Sequence, residues 1–386
     1  GVVQGLVTKG ILNVTEKEGT EQVQYTQHEE PDGTNYIWYD GYQAPTEGFI
    51  FSINTANTSS GSSTSTQYKL PLVSAGAINM LVDWGDGTTD TITSYNQAEI
   101  LHTYGTAGTY TIAIENEIKG WKQNTTGDKE KILNISKWDE FNITEELTFS
   151  GCINLTSTAT DKPTVSSTSL DASFNDCIIW NGTMDSWDVS SVTNMNGLFF
   201  NCPTFDQPLN SWDTSSVTIM SVMFSGCGVF NQDISSWDVS NVTEMNGMFV
   251  SCSAFNQPLN SWNVSSVTIA NGMFLNATVF DQPLNSWNTS AFTNIGGMFN
   301  GSSFDQNISS WDVRNVTAAL QFLNGITLST ANYDAILVAW DANTPVASTL
   351  TIDFGNSKYS LASAAATARA NLISTHSWTI TDGGGI

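Results

Sequence analysis

The chain has 386 residues with a formal net charge of −25, only 13% charged residues and 11% aromatic residues. So many aromatic side chains exclude a disordered acidic chain, and so few basic ones exclude nucleic acid as an expected partner, because phosphate binding needs clustered Lys and Arg. No stretch approaches 18 consecutive apolar residues, so we expect no membrane insertion. Residues 1–10 lack the basic start and apolar core of a signal peptide, and we expect that such a peptide was either removed or never needed.

Residues 1–46 form the first predicted unit, an N-terminal β segment. Strand-forming residues recur in it, and residues 36–39 (YIWY) are a run of aromatic and β-branched side chains. We expect this segment either to be a small β-domain or to attach the chain to other subunits of a surface layer or a virion.

Residues 47–125 form the second predicted unit. A Ser- and Thr-rich stretch at residues 59–67 predicts a flexible loop. Residues 81–88 (LVDWGDGT) join two strand-like stretches through an Asp-Gly pair typical of hairpin turns, and HTY at 102–104 and GTYT at 108–111 follow. WGDGT followed by HTY and GTYT resembles the polycystic-kidney-disease (PKD) domain, an Ig-like β-sandwich common in surface and secreted proteins.

That resemblance implies a structural role for the polar residues of the motif. In such domains the turn and the His–Tyr pair shape the sandwich, so Asp83, Asp86 and His102 are expected to support the fold. The alternatives are a weak Ca²⁺ site at Asp83 and Asp86, or a catalytic role for these three residues.

Residues 126–325 form the third predicted unit, which consists of tandem repeats of about 25 residues, some seven coils in all. The repeat is visible as columns of identical side chains. The tryptophan column is Trp187, Trp212, Trp237, Trp262, Trp287 and Trp311, and the phenylalanine column is Phe199, Phe224, Phe249, Phe274 and Phe299. This period lies within the range of leucine-rich-repeat solenoids. Since a single coil cannot bury its own aromatic rings, we expect both columns to stack in a continuous core.

Each repeat divides into two halves with different periodicities. In the first half, such as residues 257–264 (QPLNSWNV), the pattern alternates as in a strand, with Leu259 on one side and Trp262 on the other. In the second half, such as residues 242–249 (VTEMNGMF), the spacing of apolar residues predicts a short helical or 3₁₀ turn. We therefore expect a narrow parallel sheet on one side of the stack and short helical turns on the other.

The five cysteines form a further column, at Cys152, Cys177, Cys202, Cys227 and Cys252. Because they occupy one position of successive coils, we expect free, buried thiols in a slot that accepts only small side chains. The alternative is a set of disulfides or a metal site, and the odd number would leave one cysteine over.

An exposed column of Asp and Asn follows the tryptophans and is the candidate binding surface. Its members are Asp188, Asp213, Asp238, Asn263, Asn288 and Asp312. Stacked carboxylates repel one another unless they cap turns or bind a cation, and Asn in two coils favours capping of an Asx-turn. A Ca²⁺-binding ladder and a pair of glycosidase-type carboxylates are the alternatives.

The repeat also resembles a known family. The pattern WDVSxVTxMxxMFxxC followed by FNQ is similar to the bacterial surface-protein repeat of the BspA-like leucine-rich-repeat class. A PKD-like module, such repeats and a helix-bearing end together resemble large surface proteins of marine bacteria and their phages.

Residues 326–386 form the last predicted unit, a C-terminal cap. Helix-like runs at residues 331–340 and 362–374 alternate with strand-like segments at 350–354 and 378–381. The expected fold class is therefore mainly β: an Ig/PKD-like β-sandwich, then a leucine-rich-repeat-like solenoid with short helical turns, and a C-terminal α/β cap.

The function expected from these features is recognition without catalysis. The three histidines lie in separate segments and no nucleotide-binding or hydrolase motif is present, so no enzyme and no cofactor are expected, with Ca²⁺ as a possible ligand. The leading hypothesis is an extracellular surface protein that presents its solenoid face to a cell-surface glycan or protein. The alternatives are a structural protein of a marine phage virion, as a head or tail decoration or fibre, and a polysaccharide-acting enzyme.

Overall fold

The computed structural model describes residues 25–29, 35–39, 46–74, 79–116, 118–123, 127–139, 141–343 and 349–386. Over these ranges the chain is mainly β with few helices, as the sequence predicts. Within them, neither α-helix has the length and apolar content that a membrane span requires.

Sixteen strands and two α-helices occupy the described ranges. In chain order the strands are β1 Tyr25–Glu29, β2 Asn35–Tyr39, β3 Phe49–Asn54, β4 Gln67–Lys69, β5 Met80–Asp83, β6 Thr89–Ile92, β7 Leu101–Thr103, β8 Thr109–Glu115, β9 Trp121–Gln123, β10 Ile132–Lys137, β11 Asn142–Ile143, β12 Leu147–Phe149, β13 Thr156–Ser157, β14 Thr164–Val165, β15 Thr351–Asp353 and β16 Thr379–Thr381. The helices are α1 Thr330–Ala342 and α2 Ala364–Ser374, and short 3₁₀ turns lie at Ala98–Ile100 and Asp128–Glu130.

The N-terminal segment contains an antiparallel hairpin of β1 and β2. Tyr25 lies opposite Tyr39, and Glu29 lies opposite Asn35. The other residues up to 45 lie outside the described part of the chain, and the attachment role predicted for residues 1–46 stays a prediction.

A six-stranded sheet organises the next part, in the order β13-β10-β3-β8-β5-β6. Its neighbours run antiparallel, except for the parallel pair β10 and β13. β4 pairs with β7 in a separate antiparallel ribbon, whose Tyr68 lies against Phe51 of β3 with 6.0 Å between ring centroids. Phe49, Phe51 and Ile53 are all fully buried, so β3 lies at the centre of this core.

This sheet continues past residue 125, where the sequence places the boundary between sandwich and repeats. β10 pairs with β3 on one side and with β13, a strand of the early coils, on the other. Aromatic rings continue the core across the same junction. The ring centroid of Trp138 lies 5.7 Å from that of Phe49 and 5.3 Å from that of Trp187. The region predicted as a sandwich and the repeats therefore share one six-stranded sheet and one hydrophobic core.

A buried ion pair ties the loop at residues 59–67 to this sheet. Lys131 is fully buried, and its Nζ lies 3.2 Å from Oδ1 of Asp128. The same ammonium donates to three backbone carbonyls within residues 63–67, at 2.7–3.1 Å. Burial lowers the pKa of Lys131, and the charge of Asp128 offsets part of that effect. The loop predicted to be flexible is thus anchored from the interior.

The repeats stack as successive coils with parallel pairing between them. One residue of each coil forms an isolated parallel bridge to the next coil, in the order Ser169, Asn194, Ile219, Glu244, Ile269, Asn294 and Ala318. These bridges run without interruption from the early coils to the end of the array, so the coils form one continuous stack of repeats.

Backbone hydrogen bonds between coils come from the second half of each repeat. The N–H groups of Gly247 and Phe249 donate to carbonyls of the next coil, at 2.9 and 2.8 Å, whereas those of Met248 and Val250 donate to carbonyls three residues earlier. This alternation satisfies the backbone donors of a segment that lies against the core. Positive φ at Gly247 and Ser251 (63° and 58°) interrupts any helix. The predicted helical turn is therefore a series of tight turns.

The strand predicted for the first half of the repeat is wrong. At residues 257–264, Leu259 and Trp262 are both buried, and the N–H of Trp262 donates to the carbonyl of Leu259 at 3.1 Å. That bond closes a turn, and two apolar residues three apart then reach the same core. The parallel pairing expected here lies in the other half of the repeat.

The C-terminal segment covers the end of the stack. α1, β15, α2 and β16 lie where the sequence predicts helices and strands, which confirms those four elements. Ala319 of the last coil bridges Ile352 of β15, and β15 pairs in parallel with β16. The parallel ladder thus extends two steps into the cap, where helices replace the first halves of the coils.

Candidate functional site

The aromatic columns lie inside the stack. The six tryptophans of the column are at most 4% exposed, and Phe199 through Phe299 are fully buried. Successive phenylalanine rings of that column lie nearly parallel, with 5.6–5.8 Å between centroids. These side chains hold neighbouring coils together, and the binding surface must be sought outside them.

Each indole of the central coils also has a polar partner. The Nε1 of Trp237 donates to the carbonyl of Leu209 at 2.9 Å. Equivalent bonds to the preceding coil are made by Trp212, Trp262, Trp287 and Trp311, at 2.8–3.1 Å. The Nε1 of Trp187, in an early coil, is buried without a hydrogen-bond partner. The indoles therefore act as structural donors wherever a full coil precedes them.

The five thiols are free and buried, as predicted. The Sγ of Cys227, for example, donates to the carbonyl of Phe199 at 3.0 Å. Burial raises the pKa of each of the five thiols. Because the thiolate is the reactive form, these cysteines are core residues of low reactivity.

The exposed ladder, defined as the Asp and Asn residues that follow the tryptophans, consists of Asx-turns. In all six coils a side-chain oxygen accepts the backbone N–H two residues later, at 2.9–3.3 Å; the residues are Asp188, Asp213, Asp238, Asn263, Asn288 and Asp312. Asp and Asn serve equally because the turn needs only one oxygen acceptor. The structure therefore places every member of the ladder in the same local geometry.

The carboxylates of this ladder are held in the ionised form. The pKa of Asp188, Asp213 and Asp238 is lowered, chiefly by hydrogen bonds from the serine two residues on. The pKa of Asp312 is lowered by the guanidinium of Arg314, whose Nη2 lies 2.6 Å away. At Asp213 the negative charge of Asp188 raises the pKa, but the hydrogen bonds from Ser215 outweigh it and the pKa stays lowered. The ladder is thus a row of hydrogen-bond acceptors.

A second row of Asp and Asn, which the sequence reasoning missed, links the coils. Its members are Asn181, Asp206, Asn231, Asn256, Asp281 and Asp305. The Oδ1 of Asp206 accepts the N–H of Asn231 at 3.0 Å and the amide of Gln232 at 2.9 Å, and the pattern repeats. The last member, Asp305, accepts the N–H of Ser329 in the cap at 2.7 Å. The recurring FNQ or FDQ triplet was the available signal for this row.

The two acidic residues of the sequence DWGDG, residues 83–87, also form local turns. The Oδ1 of Asp83 accepts the N–H of Gly85 at 2.9 Å. Asp86 accepts Oγ1 of Thr88 at 2.6 Å and lies 2.8 Å from Nε2 of His102. Burial raises the pKa of Asp86, but the hydrogen bonds from Thr88 and His102 outweigh it and leave that pKa lowered. In the described part of the chain, no three His, Cys, Asp or Glu side chains are grouped to hold a metal ion.

His102 packs against two aromatic rings. Its ring stacks on Trp84 at 4.6 Å with 8° between planes, and Tyr104 meets it edge-on at 4.6 Å. The hydroxyl of Tyr104 donates to the carbonyl of Trp84, and Nε1 of Trp84 donates to Asp90. The motif residues therefore connect β7 to β6 and to the turn that follows β5.

Comparison with known proteins identifies one family. The family described as "Mycoplasma protein of unknown function, DUF285" matches residues 114–233, 168–279 and 229–340. The three matches overlap, as expected of a tandem array, and together they span more than half of the chain. No curated protein and no solved structure has significant similarity to this chain.

Proposed function

The chain belongs to the DUF285 family, and we propose that it is an extracellular recognition protein, without catalytic activity, whose repeat stack presents the exposed ladder to a glycan or protein ligand. The observation that carries this proposal is the repetition of one exposed acceptor geometry over six coils. Rigid stacking of the coils supports it, because preorganised groups lose little freedom on binding.

Asp188, Asp213 and Asp238 have acceptor capacity to spare, whereas Arg314 occupies both oxygens of Asp312. Ser190 uses only the Oδ1 atom of Asp188, with both its N–H and its hydroxyl, and Ser215 does the same at Asp213. The Oδ2 atoms remain at the surface, one coil apart. Ionised acceptors at regular spacing suit a ligand that offers hydroxyl or amide donors in a row.

Lowered pKa values favour binding over glycoside hydrolysis. A hydrolytic pair needs one carboxylic acid with a raised pKa to protonate the leaving group. The hydrogen bonds from serine shift the pKa of Asp188, Asp213 and Asp238 in the opposite direction. We infer that the ladder accepts hydrogen bonds and does not transfer protons.

We propose finer family relationships for the two main regions. The interlocked Trp84, His102 and Tyr104 support a PKD-like sandwich for the first region. One parallel bridge per coil supports a leucine-rich-repeat-like solenoid of the BspA class for the second.

A virion component is the second candidate function. The five free cysteines favour it, because thiols stay reduced in particles assembled inside a cell, whereas secreted proteins commonly oxidise theirs. Antibody labelling of intact cells and of purified particles from the source organism separates the two: label on the cell surface supports adhesion, and label on particles supports the virion.

The ladder is tested with two charge-matched double variants of the full chain. D213N/D238N removes two ladder charges but keeps the turns, as Asn263 and Asn288 do naturally. E99Q/E115Q removes two exposed charges from the sandwich. We expect the first variant to bind immobilised glycans or surface extracts about tenfold more weakly and the second to bind as wild type, since charge-assisted hydrogen bonds are the stronger kind. Equal binding by both variants would remove the ladder from the proposal.

A further inference from the structure

The parallel ladder of the coils ends on an unpaired strand edge in the cap. β16 pairs with β15, and within the described ranges no strand covers its other side. The open edge is defined as β16 together with Gly385. We propose that this edge binds a second copy of the chain, through strand β2 of that copy's N-terminal hairpin, so that copies join head to tail.

The backbone of Ile380, at the centre of β16, points away from the chain. The N–H of Thr379 donates to the carbonyl of Leu350 at 2.9 Å, and the carbonyl of Thr381 accepts the N–H of Phe354 at 2.8 Å. In a parallel ladder, alternate residues of a strand bond to the same neighbour, so the N–H and C=O of Ile380 face the opposite side. A further strand would find both a donor and an acceptor there.

Gly385 extends this edge beside exposed apolar side chains. It bridges Tyr359, whose N–H donates to the carbonyl of Gly384 at 3.2 Å and whose carbonyl accepts the N–H of Ile386 at 2.9 Å. The side chain of Leu361 is 60% exposed and that of Ile386 is 59% exposed, and a backbone hydrogen bond of 3.0 Å joins the two residues. Because the end of a repeat array needs a polar outer face to stay in solution, an unpaired edge beside apolar side chains indicates a contact surface.

The hairpin of β1 and β2 lacks a third strand. In the described part of the chain, these two strands pair only with each other. A two-stranded hairpin is marginally stable in water, and a third strand stabilises it. β1 (YTQHE) contains polar and charged residues, as solvent-exposed edge strands commonly do, whereas β2 (NYIWY) has no charge and consists mainly of strand-forming residues. β2 is therefore the strand that fits the open edge.

The hairpin of the same chain cannot reach the open edge. Nine residues separate Tyr39 from Phe49 of β3, and a fully extended chain of this length spans at most ~36 Å. The parallel ladder takes eight steps from Ser169 to Ile380, which is ~38 Å at the usual strand spacing. β3 lies further still from the cap, because the sheet order β13-β10-β3 leads away from the later coils. The strand must therefore come from a second copy.

Head-to-tail pairing predicts open chains of copies. A contact between two different surfaces of a molecule does not close at two copies, so further copies can add. Each copy brings its own exposed ladder, and several ladders on one assembly would bind a surface with higher avidity. The net charge of −25 opposes the approach of two copies, so added salt should promote assembly.

Sedimentation velocity of the full chain, at up to about 100 μM protein and about 0.5 M NaCl, tests the proposal. We expect wild type to form species larger than a dimer, in amounts that grow with protein and salt concentration. Ile380→Pro removes an outward N–H and no bond to β15, so it should melt as wild type but assemble about tenfold more weakly. Thr91→Pro is the matched control, because it removes an N–H from the outer side of β6, an edge strand of the six-stranded sheet, and should assemble as wild type.

A mixture of two defective variants distinguishes head-to-tail pairing from contact between like surfaces. Ile37→Pro interrupts β2 and keeps the open edge, whereas Ile380→Pro keeps β2. Each variant should be monomeric alone, and an equimolar mixture should give dimers and nothing larger, since one working contact remains in each pair. If Ile380→Pro melts below wild type, L361E/I386E takes its place: it changes side chains beside the edge, keeps the backbone, and should weaken assembly about tenfold through like-charge repulsion.

Four results would overturn the proposal. Wild type stays monomeric under these conditions, or it stops at dimers. Ile380→Pro and L361E/I386E assemble as wild type, or the mixture of Ile37→Pro and Ile380→Pro contains monomers alone. Loss of assembly in Thr91→Pro would also overturn it, because the contact would then lie on the six-stranded sheet.

Discussion

In the repeat stack, a polar group finds its partner at the same position of the next coil, whereas in the sheet region (residues 46–139, around the six-stranded sheet) polar contacts occur once and several join residues far apart in the chain. Asp206 of the stack accepts from Asn231, 25 residues later. Lys131 of the sheet region pairs with Asp128 and reaches carbonyls within residues 63–67, 64–68 residues earlier. The stack repeats one arrangement of polar contacts, and the sheet region relies on contacts that occur once.

The difference determines how each region responds to damage. Stability of a stacked array is a sum over neighbouring interfaces, so one lost contact weakens two interfaces and leaves the others intact. In the sheet region, loss of one side chain such as Lys131 leaves several buried polar groups without a partner at once. Substitutions in the two regions should therefore differ in kind as well as in size.

The largest effect is expected for Trp237→Ala in a central coil. The change leaves a cavity between the rings of Trp212 and Trp262, which stack on Trp237 at 6.2 and 6.5 Å. We expect a loss of about 3–5 kcal/mol in the free energy of unfolding. Urea unfolding followed by circular dichroism should show two transitions, one for each side of the broken interface. A midpoint equal to that of wild type would show that the tryptophan column is not core.

Lys131→Met should cost about 3 kcal/mol, because it leaves Asp128 as a buried charge without its counter-charge. Urea unfolding should show a midpoint below that of wild type. The double variant D128L/K131M removes both charges and should recover most of the loss. A double variant no more stable than K131M would contradict the view that the unpaired carboxylate causes the damage.

Replacing tryptophan by phenylalanine compares a central coil with an early one. Trp237→Phe removes the bond to the carbonyl of Leu209, whereas Trp187→Phe removes an indole N–H that has no partner. We expect W237F to be about 1 kcal/mol less stable than W187F relative to wild type. Thermal melting of the two variants under identical conditions measures the difference. Equal losses would mean that the indole bonds add nothing to the stacking of rings.

A smaller gain is expected from Val222→Gly. Val222 has φ 48° at a position where four other coils have Gly197, Gly247, Gly272 and Gly297, and a β-branched residue is strained there. Relief of strain should exceed the lost packing and raise stability by about 0.5–1 kcal/mol. The reverse change, Gly247→Val, should destabilise the chain. A lower melting temperature for V222G would show that its side-chain contacts dominate.

The smallest effect concerns acid. The pKa of Asp213 and of Asp238 is lower in the folded chain than in the unfolded chain. Their contribution to stability is therefore complete above the unfolded pKa of about 3.9 and is lost as the pH falls through the folded pKa. Wild type should lose more stability than D213N/D238N below about pH 4. Melting temperatures of both proteins, measured across about pH 2.5–7, give this difference in stability. Parallel curves for the two proteins would contradict the assignment.

Local features of this protein could be predicted from particular residues. The Asx-turn at Asp238 depends only on the residue two positions later, and the N-cap of helix α2 is Ser363, whose hydroxyl accepts two N–H groups of the first turn. Both follow from side chains near one another in the chain. The anchor at Lys131 joins segments far apart, and its residues have no local signal.

The sequence by itself determined the period, the buried columns of Trp, Phe and Cys, the exposed ladder and the cap elements, because equivalent residues of successive coils share one environment. It did not determine which half of the repeat pairs with the next coil. Leu259 and Trp262 fit an alternating strand in the printed sequence but meet in one core through a turn. Only the tertiary structure decided that pairing, along with the shared sheet of β10, because long-range backbone hydrogen bonds depend on where segments meet and not on the order of their side chains.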